Sequence, residues 1–117
     1  MKANIVQQKS FSFAIRIVNL YKYLVSEKKE FVLSKQLLKS GTSIGANVEE
    51  SIGGQSENDF LSKLSISYKE ARETIYWLKL LKETEYISKN EFESMYNEAE
   101  EICKILAKII ITLKSKI

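Results

Sequence analysis

Few side chains in this 117-residue sequence are suited to covalent chemistry. Histidine is absent, which removes the usual general base, the usual zinc ligand and any Ser-His or Cys-His dyad. Cys103 is the only cysteine, so the chain can form neither an intramolecular disulfide nor a cysteine cluster for a metal. Because Cys103 falls on an apolar helical face between Ile102 and Leu106, we expect a reduced core thiol and not a nucleophile.

The carboxylates do not form a catalytic pattern either. Glu49 and Glu50 close a predicted helix, while Glu70 and Glu73 lie on either side of Arg72, for which we expect a solvated or interhelical ion pair. A di-iron bundle needs Glu-x-x-His pairs, and the segment Gly-Thr-Ser-Ile-Gly lacks the Lys-Ser ending of a phosphate loop. We therefore predict no enzyme, no metal, no cofactor and no small-molecule substrate.

Charge is distributed unevenly along the chain, whose net charge is +3. Residues 1–48 hold eight basic and two acidic side chains, a net +6, whereas residues 49–117 hold ten basic and thirteen acidic, a net −3. A basic half can meet a polyanion or the acidic half of a neighbouring copy, or its lysines can simply be solvated. The predicted nucleic-acid-binding residues are Lys9, Arg16, Lys22, Lys35 and Lys39.

Neither an export signal nor a membrane span is predicted. The N-terminal stretch MKANIVQQKS lacks an apolar region and a cleavage site, and the apolar residues 105–113 are interrupted by Lys108 and too few to cross a bilayer. We expect a cytoplasmic protein.

Apolar periodicity and the absence of proline predict four long helices. They are expected at about residues 10–28, 34–52, 57–83 and 88–115, with residues 1–9 frayed. Short links make neighbouring helices antiparallel, so the predicted fold is all-α, an antiparallel up-and-down four-helix bundle in one domain, residues 1–117. The predicted helix ends are a Ser34 N-cap, a left-handed cap or kink at Gly53-Gly54, a helix start at residues 56–59, and a capping box of Ser88 with Glu91.

The first predicted helix carries two apolar stripes. The Phe11 stripe comprises Phe11, Ala14, Val18, Tyr21 and Val25, and the Phe13 stripe comprises Phe13, Ile17, Leu20 and Leu24. One bundle needs a single stripe of about three positions in seven, so self-association is expected to bury the surplus. We predict Phe13, Ile17 and Leu20 as helix-contact or oligomer-interface residues.

The second predicted helix contains Gly41 and Gly45, one turn apart on one face. Each glycine inside a helix costs about 1 kcal/mol relative to alanine, which suggests that another helix comes close there. Tolerance at an exposed position is the alternative. Asn47 is expected to hydrogen-bond across the bundle and set its register.

Aromatic side chains on the third predicted helix suggest an interface. Tyr76 and Trp77 lie off the core stripe, where such residues usually form a core edge or subunit contact, and a nucleic-acid stacking platform is the alternative. Ile105 and Ile111 lie off the inward stripe of the fourth helix, which again indicates an apolar outer face.

Three stretches resemble the four-helix-bundle proteins of the 23S ribosomal RNA intervening-sequence family. They are the run from Leu33 to Glu50 with its core SIGAN, the segment SFSFAIRIVNLYKYL, and the segment DFLSKLSISYKEARETIYWLKLL. A similar fold occurs in the accessory variability determinant proteins of diversity-generating retroelements, which are pentameric barrels with a basic surface implicated in binding nucleic acid and a reverse transcriptase. The resemblance implies a bacterial homo-oligomer, with five copies expected, and no known enzymatic activity.

Two functions follow as hypotheses. The first is a non-catalytic, homo-oligomeric accessory protein that binds RNA or DNA through the basic half. The alternative is a protein-protein scaffold that binds its own copies, with another polypeptide such as a reverse transcriptase as a further candidate partner, without contacting nucleic acid.

Overall fold

The computed structural model describes residues 2–116, and the side chains from residue 5 to residue 116. It contains four helices: α1 (Lys2–Ser26), α2 (Leu33–Ile52), α3 (Glu57–Glu83) and α4 (Lys89–Lys116). No strand occurs within residues 2–116, which confirms the all-α prediction.

Contacts between the helices define the bundle. Each helix packs against its neighbours in sequence, and α1 also meets α4, so the helices form a ring in which α1 lies diagonal to α3. Contacting residues show that these neighbours are antiparallel, because residue numbers rise along one helix as they fall along the other. The pairs are Gln7–Glu49 and Ile17–Gly41 for α1 and α2, Ser67–Ile44 and Thr74–Ser40 for α3 and α2, and Lys9–Glu101 and Arg16–Glu98 for α1 and α4.

Helix α1 begins well before the predicted start at residue 10. Val6 is fully buried, Ser10 is almost fully buried, and Gln7 Nε2 donates to Glu49 Oε1 at 2.9 Å. The prediction that residues 1–9 are frayed is therefore wrong for residues 2–9, because α2 and the core hold this turn in place. The other helices differ from their predicted bounds by at most one residue.

Of the two apolar stripes on α1, the Phe13 stripe forms the core. Phe13, Ile17 and Leu24 are fully buried and Leu20 packs against them, whereas Phe11 of the other stripe is one of the most exposed apolar residues described. The remaining members of the Phe11 stripe are half-buried. The surplus apolar surface thus belongs to the Phe11 stripe, and Phe13 and Ile17 cannot contact another copy.

Two predicted helix caps are wrong, although the helix bounds themselves are close to the prediction. Helix α2 begins at Leu33, and Ser34 does not cap it; instead the carboxylate of Glu30 accepts from the backbone amides of Val32, Leu33 and Ser34 at 3.2, 2.9 and 2.6 Å. The Glu30 side chain, close to the chain reversal, supplies two acceptors where a serine hydroxyl supplies one.

Helix α2 ends at Ile52, directly before the glycine pair that was predicted to end it, but neither Gly53 nor Gly54 has a positive φ, so the left-handed cap is absent. Gly54 lets the backbone pass close to the end of α2, because a Cβ at this position would lie 3.1 Å from the carbonyl oxygen of Ser51. The predicted caps of α3 and α4 are confirmed, since Asp59 N donates to Ser56 Oγ, and Ser88 and Glu91 bond reciprocally at 3.0 and 3.1 Å.

Candidate interaction surfaces

The contact between α1 and α4 is lined with opposite charges. Lys9 Nζ lies 3.0 Å from Glu101 Oε1, and the guanidinium of Arg16 pairs with the Glu98 carboxylate and donates to Ser94 Oγ at 3.0 Å. The basic first helix thus meets the acidic first half of α4 within one chain. Two of the five predicted nucleic-acid-binding residues are therefore already engaged by carboxylates.

The other three predicted binding residues project from the bundle. Lys22, Lys35 and Lys39 are exposed, and the salt bridges found among the described residues include none of them. Lys35 and Lys39 lie one turn apart on the outward face of α2, and the antiparallel register places Lys22 of α1 at the level of Lys35. These ammonium groups form an open basic surface on the basic half.

Between α2 and α3, one carboxyl has a shifted pKa. Partial burial raises the pKa of Glu70, and repulsion by Glu73 adds to it, while Lys39 and Lys69 oppose the rise. The two glutamates lie on one helix face and have no histidine or nucleophile beside them, because the chain has no histidine and its one thiol is elsewhere.

The predicted glycine contact lies against α1. A Cβ on Gly41 would come within 2.7–2.8 Å of three Ile17 side-chain atoms, and one on Gly45 would lie 3.3 Å from the backbone oxygen of Ser10. Both glycines thus serve the α1–α2 helix contact inside one chain. Asn47 does not bond across the bundle as predicted: its Nδ2 donates to Ser43 O on its own helix, at 2.8 Å.

Hydroxyl groups make the buried interhelical hydrogen bonds that were predicted for Asn47. Ser67 Oγ on α3 donates to the carbonyl oxygen of Ile44 at 2.8 Å, and the hydroxyls of Thr74 and Ser40 bond at 3.0 Å. These residues were not predicted, because serine and threonine are equally common on solvated helix faces. Their position among core residues is the signal that could have found them: Ser67 and Thr74 lie at i−4 and i+3 from Ala71, and Ser40 at i+3 from Leu37.

Apolar and aromatic side chains remain uncovered on several helices. Tyr76 is exposed and meets Trp77 edge-on, with ring centroids 5.0 Å apart, while Trp77 is half-buried and donates from Nε1 to Glu73 Oε2 at 2.9 Å. Ile111 is exposed as predicted, but Ile105 packs half-buried against the core, so its predicted exposure is wrong. Ile15 and Ile66 are also exposed and were not predicted.

The thiol of this chain lies in the core of the bundle. Cys103 is buried, and burial raises its thiol pKa to about 11, so the thiolate is scarce at neutral pH. Arg72 pairs with Glu100 of α4 at 3.7 Å, which is the interhelical ion pair expected for it. Within residues 2–116, no three acidic or cysteine side chains cluster as they would around a metal ion. None of the described helices combines the length and the apolar character that a membrane span requires.

Comparison with known proteins gives a family and a similar solved structure. A family model described as 23S rRNA-intervening sequence protein matches residues 2–108. A crystal structure of a protein with unknown function, from the S23 ribosomal protein family of Bacteroides thetaiotaomicron VPI-5482, is 59% identical, covering 94% of this chain and 98% of that chain with a TM-score of 0.93. No curated protein matches the chain.

Proposed function

Because the chain belongs to the 23S rRNA-intervening sequence protein family, we propose that it is a non-catalytic, self-associating protein that binds RNA. The family description ties its relatives to ribosomal RNA, which favours RNA over other polyanions. In this proposal the protein acts in the cytoplasm as an assembly of about five copies, whose repeated basic surfaces turn weak phosphate contacts into useful affinity.

The observation that carries the proposal is the pair of exposed lysines on α2. Lys35 and Lys39 project outward about 6 Å apart along the helix axis, and no described carboxylate forms a salt bridge with either. Unpaired ammonium groups displace the counterions of a phosphate backbone without first breaking an ion pair. Lys9 and Arg16 would have to release Glu101 and Glu98, so we assign the RNA contact to α2.

The test is binding of a labelled RNA hairpin with a single-stranded loop, measured by fluorescence anisotropy across a range of salt concentrations. Affinity should fall steeply between about 50 and 200 mM salt. The variant K35Q/K39Q should lose most of its affinity, and its log-log salt slope should shrink by about 1.4 for each chain that contacts single-stranded phosphates.

A matched control uses two lysines of α4. Lys104 and Lys108 are also exposed and one turn apart, so K104Q/K108Q removes the same charge from another surface and should bind nearly as the wild type does. Negligible binding by the wild type at low salt would eliminate the RNA proposal. Equal weakening of both variants would show diffuse attraction in place of a site on α2.

A second candidate function is a protein-protein scaffold without RNA contact, favoured by the uncovered apolar side chains of α1, α3 and α4. The scaffold function requires self-association, which light scattering tests: a 13.5 kDa monomer at micromolar concentration would contradict it. An oligomer that ignores the RNA hairpin would favour the scaffold.

A further inference from the structure

One face of α1 is apolar and uncovered. It carries Phe11 (68% exposed), Ile15 (49% exposed) and the half-buried Val18 and Val25, with the exposed Lys22 among them. These five residues, which we call the α1 outer stripe, are spaced 4, 3, 4 and 3 apart. That spacing is the one by which a helix presents a continuous seam to a partner helix.

A second face with the same spacing lies on α3. The α3 outer stripe consists of Ile66 (40% exposed), Glu70, Glu73, Trp77 and Leu80, again 4, 3, 4 and 3 apart. Trp77 donates to Glu73 along this stripe, and the exposed Tyr76 borders it. The stripe is apolar at both ends and acidic in the middle.

We propose that the α1 outer stripe of one copy packs against the α3 outer stripe of the next copy. The two stripes match in spacing, each has a majority of apolar side chains, and the residues of α1 up to Ser26 include no acidic side chain to oppose the two glutamates. Lys22 is the fourth residue of its stripe. If the two helices run antiparallel it lies opposite Glu70, and if they run parallel it lies opposite Trp77, one stripe position from Glu73. The inference rests on the self-association proposed above and identifies the surfaces that carry it.

The position of the two stripes determines the kind of assembly. Phe11 and Val18 each follow a residue that faces α2, namely Ser10 and Ile17, while Ile66 and Glu73 each precede a residue bonded to α2, namely Ser67 and Thr74. With about 100° of turn per residue, both stripes border α2 and point roughly a right angle apart.

Because the two faces differ, each contact is heterologous, and the copies close into a ring where the rotation between neighbours divides a full turn without a shift along the axis. A right angle between the faces gives a small ring with α2 of every copy toward its axis.

Two single substitutions and their mixture test the contact. Ile15→Asp should disable the α1 outer stripe and Ile66→Asp the α3 outer stripe, and each purified variant should be a 13.5 kDa monomer by light scattering. In a one-to-one mixture, the intact α3 outer stripe of the Ile15→Asp variant can pair with the intact α1 outer stripe of the Ile66→Asp variant. The mixture should therefore give a dimer of twice the monomer mass. Only a heterologous contact produces this rescue.

The control is Ile111→Asp, which places the same charge at an exposed isoleucine outside both stripes and should leave the assembly intact. Circular dichroism checks that each variant is helical, and Phe11→Asp replaces Ile15→Asp if the latter unfolds. Variants that remain assembled, or a mixture that stays monomeric, would overturn the α1–α3 contact while self-association stands. A monomeric wild type would overturn both.

Discussion

Replacing Gly41 by alanine tests the close approach of α1 and α2. The new Cβ would lie 2.7–2.8 Å from three atoms of the Ile17 side chain, where carbon atoms normally rest about 3.5–4.0 Å apart. Ile17 is fully buried, so it has to shift by about 1 Å into a packed core.

Two opposing effects decide the expected size. Alanine stabilises a helix interior by about 1 kcal/mol relative to glycine, whereas inserting atoms into a packed core costs about 1–3 kcal/mol. Because three contacts are violated at once, we take the upper part of that range. G41A should then lower the free energy of unfolding by about 1–2 kcal/mol net.

Urea unfolding followed by far-ultraviolet circular dichroism measures this change. All variants are compared at one protein concentration, since self-association makes apparent stability depend on concentration. Ala46→Gly, on the exposed side of the same helix, measures the propensity effect alone and should cost about 1 kcal/mol. Ile17→Val removes one of the three clashing atoms, so G41A/I17V should be less destabilised than the sum of the single changes by about 0.5 kcal/mol or more.

The opposite result would refute the reasoning. If G41A gained as much stability as A46G loses, alanine would meet open space at position 41 and the glycine would serve no helix contact. Strict additivity of G41A and I17V would likewise show that the added Cβ does not touch Ile17.

Three further predictions concern caps, buried hydroxyls and the thiol. Burial by itself would raise the pKa of Glu30, but hydrogen bonds from three backbone amides outweigh it and leave the pKa below its usual value of 4.5. E30Q should therefore be less stable than the wild type by about 1 kcal/mol at neutral pH, and the two urea midpoints should converge as the pH falls below 4.5, through the lowered pKa. Ser67→Ala should cost about 1 kcal/mol in urea unfolding because it removes the donor to Ile44 O, whereas Ser43→Ala, which loses only a bond within its own helix, should cost clearly less. Cys103 should react with a thiol reagent at pH 8 far more slowly in the folded protein than in urea, and equal rates would contradict its burial.

Local signals were enough to predict where α2, α3 and α4 lie. Ser56 and the reciprocal Ser88–Glu91 pair satisfy end amides within four residues, so the sequence alone identifies them. Glu30 was missed because it caps from before the helix by way of a turn whose course depends on the packing of α1 against α2. The first turns of α1 were missed for the same kind of reason, since their polar sequence gains order only from the contacts of Val6 and Gln7 with the bundle.

The candidate surfaces divide in the same way. Net charge identified the basic half, but only the folded chain shows that Lys9 and Arg16 face the carboxylates of α4 while Lys35 and Lys39 do not. The two stripes of α1 have equal helical periodicity, so nothing local tells which one is buried.

By itself, therefore, the sequence determined the helices, most of their ends and the surplus of apolar surface on α1. Only the tertiary structure decides which of the two apolar stripes of α1 stays exposed. Gly41 admits Ile17 of the Phe13 stripe, and that stripe lies inward while Phe11 is exposed. The physical reason is that burial depends on which helix lies opposite, a relation between residues distant in sequence that periodicity within one helix does not contain.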